Sequence, residues 1–338
     1  MNTTPGALHL PRSPVLGWAS FAGARASELP CLLNHRTRQF TTSGRTALFL
    51  APERYGVQAC DKLLVPGRHC PSMVAPSVAL QATPVVYGLN GLGQAALLQL
   101  PTGTARVLMA VHLFGLPQPL AASRACCEAS GTALLENCAH ALFGRIEGRA
   151  IGGWGDMAIG SLTKFLPVAD GGSLIENRVD AARLPAPLAP AGAARTAQDL
   201  PDVVEQGAQH NRLLGLNLAI RTALHGLRGL RRTWGARSTA VAAPPPNPAG
   251  NTNLDADLQF DTGRARTALA TPCPRVASRA CHARTVQARR QRYRHDGPAL
   301  SGHEGMKPLP SAVVRLAVAW LGKKAVVNSL RSGATPTF

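Results

Sequence analysis

Between about residues 40 and 177, short apolar runs alternate with longer amphipathic stretches. The apolar runs have the length and composition of strands and cover 62–66, 84–89, 106–112, 133–138, 157–161 and 172–176. The stretches between them predict helices over 46–58, 71–81 and 119–130. This alternation predicts an α/β fold with a mostly parallel sheet, because parallel strands are joined by helical crossovers.

Polar side chains occur where several of these strands end. His112, Asn137 and Ser161 each lie at the carboxyl end of a predicted strand, and His140 follows shortly after Asn137. In open parallel sheets, ligands bind beyond the carboxyl ends of the strands. We therefore expect a ligand site at this edge of the sheet.

The periodic signal weakens after residue 177. We divide the chain into an N-terminal segment, 1–39, a ligand-binding domain, 40–180, and a basic region rich in Ala, Pro and Arg, 181–338. Within the last region the pattern indicates an amphipathic helix over 213–230, and the composition of 242–250 is typical of a linker.

Composition restricts the class of protein. The 338 residues are 45% apolar, so the chain can bury a sizeable core and disorder throughout is excluded. No run approaches the roughly 18 apolar residues of a membrane span, and the first residues lack the basic and apolar regions of a signal peptide. The eight cysteines are scattered without a CxxC pair. We expect a cytoplasmic protein with reduced thiols and no metal.

The formal net charge of +18 is distributed unevenly. Residues 1–177 carry 13 Lys and Arg against 9 Asp and Glu, whereas residues 178–338 carry 23 against 9. Arginine-rich segments can bind the phosphates of nucleic acids. Aromatic residues are only 4% of the chain, however, and no nucleic-acid-binding motif is present. The sequence therefore does not favour a nucleic-acid partner.

Short motifs within the first half follow one another in a distinctive order. They are Thr42-Ser43-Gly44-Arg45-Thr46-Ala47-Leu48, Leu64-Val65-Pro66, Val111-His112-Leu113-Phe114-Gly115, Glu136-Asn137-Cys138-Ala139-His140-Ala141, Gly155-Asp156, Ser161-Leu162-Thr163-Lys164 and Asp170-Gly171-Gly172. In order and spacing they resemble the landmarks of the DegT/DnrJ/StrS sugar aminotransferases over roughly residues 28–177. This resemblance implies the three-layer large domain of fold-type I pyridoxal 5'-phosphate (PLP) enzymes. It also implies a homodimer that transfers an amino group from glutamate to a keto-sugar nucleotide.

Lys164 is the candidate catalytic residue. The resemblance implies that it forms a Schiff base with PLP and moves protons between carbon atoms. This chemistry requires a primary amine with a depressed pKa, which a desolvated lysine supplies and arginine does not. Lys164 lies among apolar residues, and only five of the 36 basic residues are lysines. The alternative is a surface lysine at the end of a strand.

The turn Ser43-Gly44-Arg45-Thr46 opens a predicted helix and is a candidate phosphate site. Glycine lets the backbone approach the ligand, and a helix N-terminus offers free N–H groups and partial positive charge. The resemblance implies that Gly44, Arg45 and Thr46 bind the cofactor phosphate together with the hydroxyl of Ser161. The alternative is a turn that only caps the helix.

Three further positions are implied to contact the cofactor ring. His140 matches the residue beside the phenolic oxygen, and Cys70 stands where relatives commonly place a stacking aromatic residue. Asn137 stands where the family normally has aspartate, whose carboxylate pairs with the protonated pyridine nitrogen. An amide supplies no negative charge and would hold the ring less strongly in its pyridinium form.

The sequence leaves competing functions open. The first is a PLP-dependent sugar aminotransferase. The second is a catalytically impaired or truncated relative that binds PLP without turnover, because Asn137 departs from the family and the residues after about 308 are too few to build the smaller C-terminal domain. The third, suggested only by the basic second half, is a nucleic-acid-binding protein.

Overall fold

A seven-stranded mixed sheet forms the centre of the fold. The structure is a computed structural model that describes residues 11, 13–23, 29–90, 105–178, 187–220, 222–223 and 260–301. The strands are β1 (Arg38–Thr41), β2 (Lys62–Pro66), β3 (Thr83–Tyr87), β4 (Ala105–Val111), β5 (Ala133–Asn137), β8 (Met157–Ser161) and β9 (Gly172–Glu176). A separate small hairpin consists of β6 (Arg145–Ile146) and β7 (Arg149–Ala150).

The order of strands across the sheet is β1-β9-β8-β5-β4-β2-β3. Strands β3, β2, β4, β5 and β8 are mutually parallel, and β9 runs antiparallel to both β8 and β1. The predicted α/β class with a mostly parallel sheet is confirmed. Each of the six predicted strands is present within one residue of its expected bounds, except that β3 ends at Tyr87, two residues before the predicted end at residue 89. Strand β1 was not predicted.

The predicted helices are also present. They are α1 (Gly44–Arg54), α2 (Pro71–Ala79) and α3 (Ala121–Ser130). Local sequence explains their ends: Ser43 caps α1, Pro71 occupies the first turn of α2, and Gly131 closes α3 in the left-handed conformation at φ 67°. Later helices are α4 (Ala193–Gln209), α5 (Thr262–Ala265), α6 (Pro272–Arg279) and α7 (His282–Ser301).

The core has two halves, one on each face of the sheet. On one face, α1 and α2 pack against residues such as Leu63 and Met109. On the other face, α3, α6 and α7 pack against residues such as Leu64 and Leu108. Helices on both faces of a central sheet give the three layers that the sequence predicts, and strands buried on both faces are apolar for this reason.

Part of the basic second half packs onto this domain. Cys273, Ala277 and Val286 of α6 and α7 belong to the same hydrophobic cluster as the sheet, and Ala268 forms a β-bridge with Thr41. The boundary between 40–180 and 181–338 stays a prediction. Outside the described residues lie the proposed linker at 242–250, residues 221 and 224–230 of the helix predicted over 213–230, and the residues from 302 onward.

The structure also bears on the cysteines and on membrane insertion. All eight cysteines are free thiols. Among the helices there, none combines the length and the apolar character needed to cross a bilayer.

Candidate cofactor site

The carboxyl ends of β4, β5 and β8 lie side by side because these strands are parallel neighbours. This edge carries Asn137 at the end of β5 and Ser161 at the end of β8. Alternation along β5 places Asn137 on the same face as Ala133 and Leu135, which is the face covered by α1 and α2. The candidate site at this edge is therefore bordered by the strand ends and by the first turns of α1 and α2.

The turn before α1 is a helix N-terminus capped by Ser43. The Ser43 hydroxyl accepts a hydrogen bond from the Thr46 backbone N–H at 3.1 Å, and the Thr46 hydroxyl lies 2.9 Å from that of Thr42. The Ala47 backbone N–H donates to the Ser43 carbonyl oxygen at 3.1 Å, and the N-terminus of α1 carries partial positive charge. Arg45 is exposed on this turn.

Gly44 brings this turn against the end of β8. A Cβ atom at Gly44 would lie 3.1 Å from Cβ of Ser161 and 3.4 Å from the carbonyl oxygen of Gly160. The structure thus brings together Gly44, Thr46 and Ser161, which the sequence predicts to share the phosphate. The Ser161 hydroxyl lies 3.5 Å from that of Thr163.

Lys164 lies three residues beyond β8 in a short 3-10 helix, Leu162–Lys164. Its side chain is half-buried, and burial lowers the pKa of its amine, with the Cys70 thiol acting in the opposite direction. Cys70 is exposed and occupies the N-cap position of α2. Lys164 and Cys70 are therefore close enough to interact electrostatically.

His140 is held neutral beside Lys164. Burial, followed by the positive charges of Lys164 and Arg289, lowers the pKa of His140 to about 3. At neutral pH the imidazole can therefore donate or accept a hydrogen bond but carries no charge.

Arg289 is a site residue that the sequence analysis missed. It extends from α7, donates a hydrogen bond to the backbone carbonyl oxygen of Lys164, and stacks 4.3 Å from the ring centroid of Phe165. Burial, followed by the charge of Arg292, lowers the pKa of Arg289 to about 10. Lys164 and Arg289 thus place two positive charges near His140, and positive charge favours an anionic ligand.

Asn137 is 1% exposed and has a fixed amide orientation. Its Oδ1 accepts a hydrogen bond from the Ala139 backbone N–H at 3.0 Å. Its Nδ2 lies 3.5 Å from Sδ of Met73 and 3.7 Å from Sδ of Met109. Asn137 therefore presents a donor, not an acceptor, to the helical layer formed by α1 and α2.

The opposite face of the strand ends holds a buried polar cluster. Potential metal-binding atoms of His112, Glu136 and Cys138 lie within 4.8 Å of one another. The Glu136 carboxylate, however, already accepts hydrogen bonds from the backbone N–H groups of Gly152 and Trp154 at 2.8 and 2.9 Å. Burial, followed by the neighbouring Glu136, raises the pKa of the Cys138 thiol well above its ordinary value. The hydrogen bonds of Glu136 therefore join β5 to the loop that precedes β8, next to the candidate site.

Comparison with known proteins gives matches that cover part of the chain. L-glutamine:2-deoxy-scyllo-inosose aminotransferase of Streptoalloteichus tenebrarius is 31% identical over 147 residues, which are 42% of this chain and 35% of that protein. GDP-perosamine synthase of Vibrio cholerae is 25% identical over 171 residues, which are 48% of this chain and 47% of that protein.

A crystal structure of DesV from S. venezuelae, in complex with a ketimine intermediate, is 26% identical and overlaps 43% of this chain and 41% of its own. Its TM-score is 0.38.

The chain spans about a third to a half of the length of the curated relatives that it matches. A profile of one family covers residues 32–222, more than half of the 338 residues, and includes the strand ends, the α1 turn and Lys164. The resemblance found in the sequence is thereby confirmed, and the chain belongs to the DegT/DnrJ/EryC1/StrS aminotransferase family.

Proposed function

We propose that this protein is a PLP-dependent aminotransferase that moves an amino group from glutamate or glutamine to the keto group of a sugar. The observation that supports this most directly is the half-buried Lys164, whose amine pKa is lowered by burial at the carboxyl end of β8. Two relatives are named for amino transfer from glutamine to an inosose and for the synthesis of a GDP-linked amino sugar. We take a keto-sugar nucleotide as the acceptor.

The residues of the site fit PLP in charge and shape. The absence of a side chain at Gly44 leaves room that a Cβ atom would take from Ser161, so a phosphate can approach the N–H groups of α1. The hydroxyls of Thr46 and Ser161 supply further polar contacts at this turn. When bound, PLP supplies an electron sink for the carbanion that forms when an amino acid loses its α-proton.

Lys164 is assigned the covalent and proton-transfer work. A lowered pKa increases the fraction of neutral amine at pH 7, and a neutral amine is the nucleophile that attacks an aldehyde. After release, the same Nζ atom can remove a proton from one carbon and return it to another. The hydrogen bond from Arg289 to the Lys164 carbonyl oxygen holds the backbone from which this side chain extends.

His140 and Arg289 are assigned orienting roles. His140 is neutral because its pKa is lowered to about 3, so it can hydrogen-bond a ring oxygen without competing for a proton at neutral pH. Arg289 remains cationic and favours an anionic group in the site. Cys70 is assigned the ring face that an aromatic residue covers in relatives.

The first test is the visible absorption spectrum of the full chain after reconstitution with PLP, before and after addition of glutamate or glutamine. We expect a visible band in the wild type that bleaches when the donor is added. Lys164→Ala should lack the band, and Lys164→Arg should lack it too, because arginine keeps the charge but cannot form the covalent bond. The exposed Lys62 provides the control, and Lys62→Ala should behave as wild type.

A second candidate function, PLP binding without turnover, is favoured by the uncharged Asn137. It predicts a band that depends on Lys164 but does not respond to either donor. The absence of any lysine-dependent band would overturn the proposal that this chain binds PLP. The homodimer, the cytoplasmic location and the exclusion of a nucleic-acid partner stay predictions.

A further inference from the structure

The amide of Asn137 cannot reverse its orientation without a cost. Its Oδ1 accepts the Ala139 backbone N–H at 3.0 Å. A reversed amide would set its NH₂ group against this N–H, so that two donors would face each other in a site where Asn137 is 1% exposed. The geometry therefore fixes Nδ2 as the atom that faces α2.

The neighbours of Nδ2 in the structure are weak partners. Nδ2 lies 3.5 Å from the Met73 sulfur and 3.7 Å from the Met109 sulfur. Thioether sulfur is a weak acceptor, and a buried amide NH₂ group is stabilised by a nitrogen or oxygen acceptor instead. Neither methionine carries a charge that would attract a cation to this position.

The face on which Asn137 lies is the face of the proposed cofactor site. Met73 belongs to α2, and Cys70 at the start of that helix acts electrostatically on Lys164. Ser161 occupies the same face of the neighbouring strand β8 and contacts the α1 turn at Gly44. A planar ring between the turn and β5 would therefore meet the Asn137 amide.

We propose that Asn137 donates a hydrogen bond from Nδ2 to the ring nitrogen of PLP and holds that nitrogen unprotonated. A pyridine nitrogen accepts such a bond only through its lone pair, which protonation removes. This inference rests on the proposed function. It adds that the chain binds PLP with the ring nitrogen unprotonated. An unprotonated ring withdraws electrons less strongly, so the α-proton of the donor should be removed more slowly than with a protonated ring.

The test compares the equilibrium binding of PLP with that of N-methyl-PLP, in which the ring nitrogen has a fixed positive charge and no lone pair. Affinities are measured on the full chain by fluorescence quenching, without donor or acceptor, so that turnover plays no part. The variants are Asn137→Asp, which is nearly the same size as the wild type, and Asn34→Asp, which adds the same charge at an exposed position. Any steric cost of the methyl group is shared by Asn137 and its Asp variant and cancels in the comparison.

We expect the wild type and Asn34→Asp to bind PLP at least about tenfold more tightly than N-methyl-PLP, the cost of leaving one buried donor without an acceptor. In Asn137→Asp that preference should fall by at least about tenfold, because a carboxylate pairs with the fixed positive charge. Equal preference in the two proteins, or a wild type that prefers N-methyl-PLP, would overturn the inference while leaving PLP binding intact. Failure of every variant to bind either compound would overturn the proposed function instead.

If Asn137→Asp does not fold, nitrogen NMR of isotopically labelled PLP on the wild type decides the matter. The ring nitrogen should keep the shift of an unprotonated pyridine from neutral to mildly acidic pH. The shift of a pyridinium at neutral pH would overturn the inference.

Discussion

The buried carboxylate of Glu136 gives the sharpest prediction about stability. Its Oε1 accepts hydrogen bonds from the Gly152 backbone N–H at 2.8 Å and from His112 Nε2 at 3.1 Å. Its Oε2 accepts from the backbone N–H groups of Trp154 at 2.9 Å and Gly155 at 3.2 Å. One side chain therefore fixes β5 to the loop that precedes β8, directly beside the proposed site.

The direction of the His112 bond is set by its other nitrogen. The Gln118 backbone N–H donates to Nδ1 of His112 at 3.0 Å, so Nδ1 carries no proton and Nε2 is the donor toward Glu136. The Glu136 carboxylate thus accepts four N–H hydrogen bonds, two on each oxygen, as expected for an anion.

Glu136→Gln keeps the shape of the side chain but replaces one acceptor oxygen with a donor NH₂ group. Whichever oxygen is replaced, two buried N–H donors lose their acceptor. Each buried donor without a partner costs about 1–3 kcal/mol, so the variant should lose about 2–6 kcal/mol of its unfolding free energy. This is a large part of the roughly 5–15 kcal/mol that stabilises a typical domain.

The assay is chemical denaturation of the full chain without cofactor, followed by circular dichroism. Glu128→Gln is the matched control, because Glu128 is exposed and pairs with Arg124 one turn away at 2.8 Å. The control should change stability by no more than about 0.5 kcal/mol. A Glu136→Gln midpoint that coincides with that of the control would refute the reasoning.

The pH dependence supplies an independent check. Burial raises the pKa of Glu136, but the hydrogen bond from His112 and the backbone N–H donors outweigh it and lower the pKa below its ordinary value. A carboxyl group with a lowered pKa in the folded state stabilises the protein above its unfolded pKa, and this contribution is lost as the pH falls through the folded pKa. The difference between the wild type and Glu136→Gln should therefore shrink below about pH 4, the ordinary range of a Glu carboxyl.

Three other predictions concern the site and its border. Gly172→Ala would place a Cβ atom 2.2 Å from a backbone carbonyl oxygen of the turn before α1; we expect a loss of about 1–3 kcal/mol in chemical denaturation, and an unchanged midpoint would contradict it. The thiols of Cys60 and Cys70 are both exposed, and bound PLP should slow the reaction of Cys70 with a thiol reagent but not that of Cys60; equal slowing, or none, would remove Cys70 from the site. Arg289→Met deletes a positive charge that lowers the pKa of His140, so an NMR titration should show that pKa rising from about 3, and an unchanged value would argue against their proximity.

The sheet could be predicted because its inner strands are buried on both faces and are therefore apolar in sequence. Strands such as β5 and β8 are buried along their whole length, so each is a short apolar run between polar stretches. Strand β1, Arg38–Thr41, has no such run and was missed. It lies at the edge of the sheet and forms because its residues pair with β9, which no local pattern records.

The candidate site could be predicted only where its chemistry depends on local motifs. The α1 turn and Lys164 stand out through residue type and neighbours, and the structure brings Gly44 against Ser161 as the motif order implies. Arg289 could not be found in this way. It is one of many arginines in α7, and only the tertiary packing of that helix on Phe165 distinguishes it from the exposed ones.

Strand β5 shows how one sequence segment meets opposite electrostatic requirements. Glu136 and Asn137 are consecutive, so the pleat directs them to opposite faces of the sheet. On one face the carboxylate is surrounded by protein donors that stabilise its charge. On the other face Asn137 meets methionine sulfur, which could not stabilise a second charge in the absence of a cationic ligand. An amide carries no charge, so it needs no cationic partner on this face, whether or not a ring is bound. This is a physical reason why an uncharged side chain is stable at the end of β5.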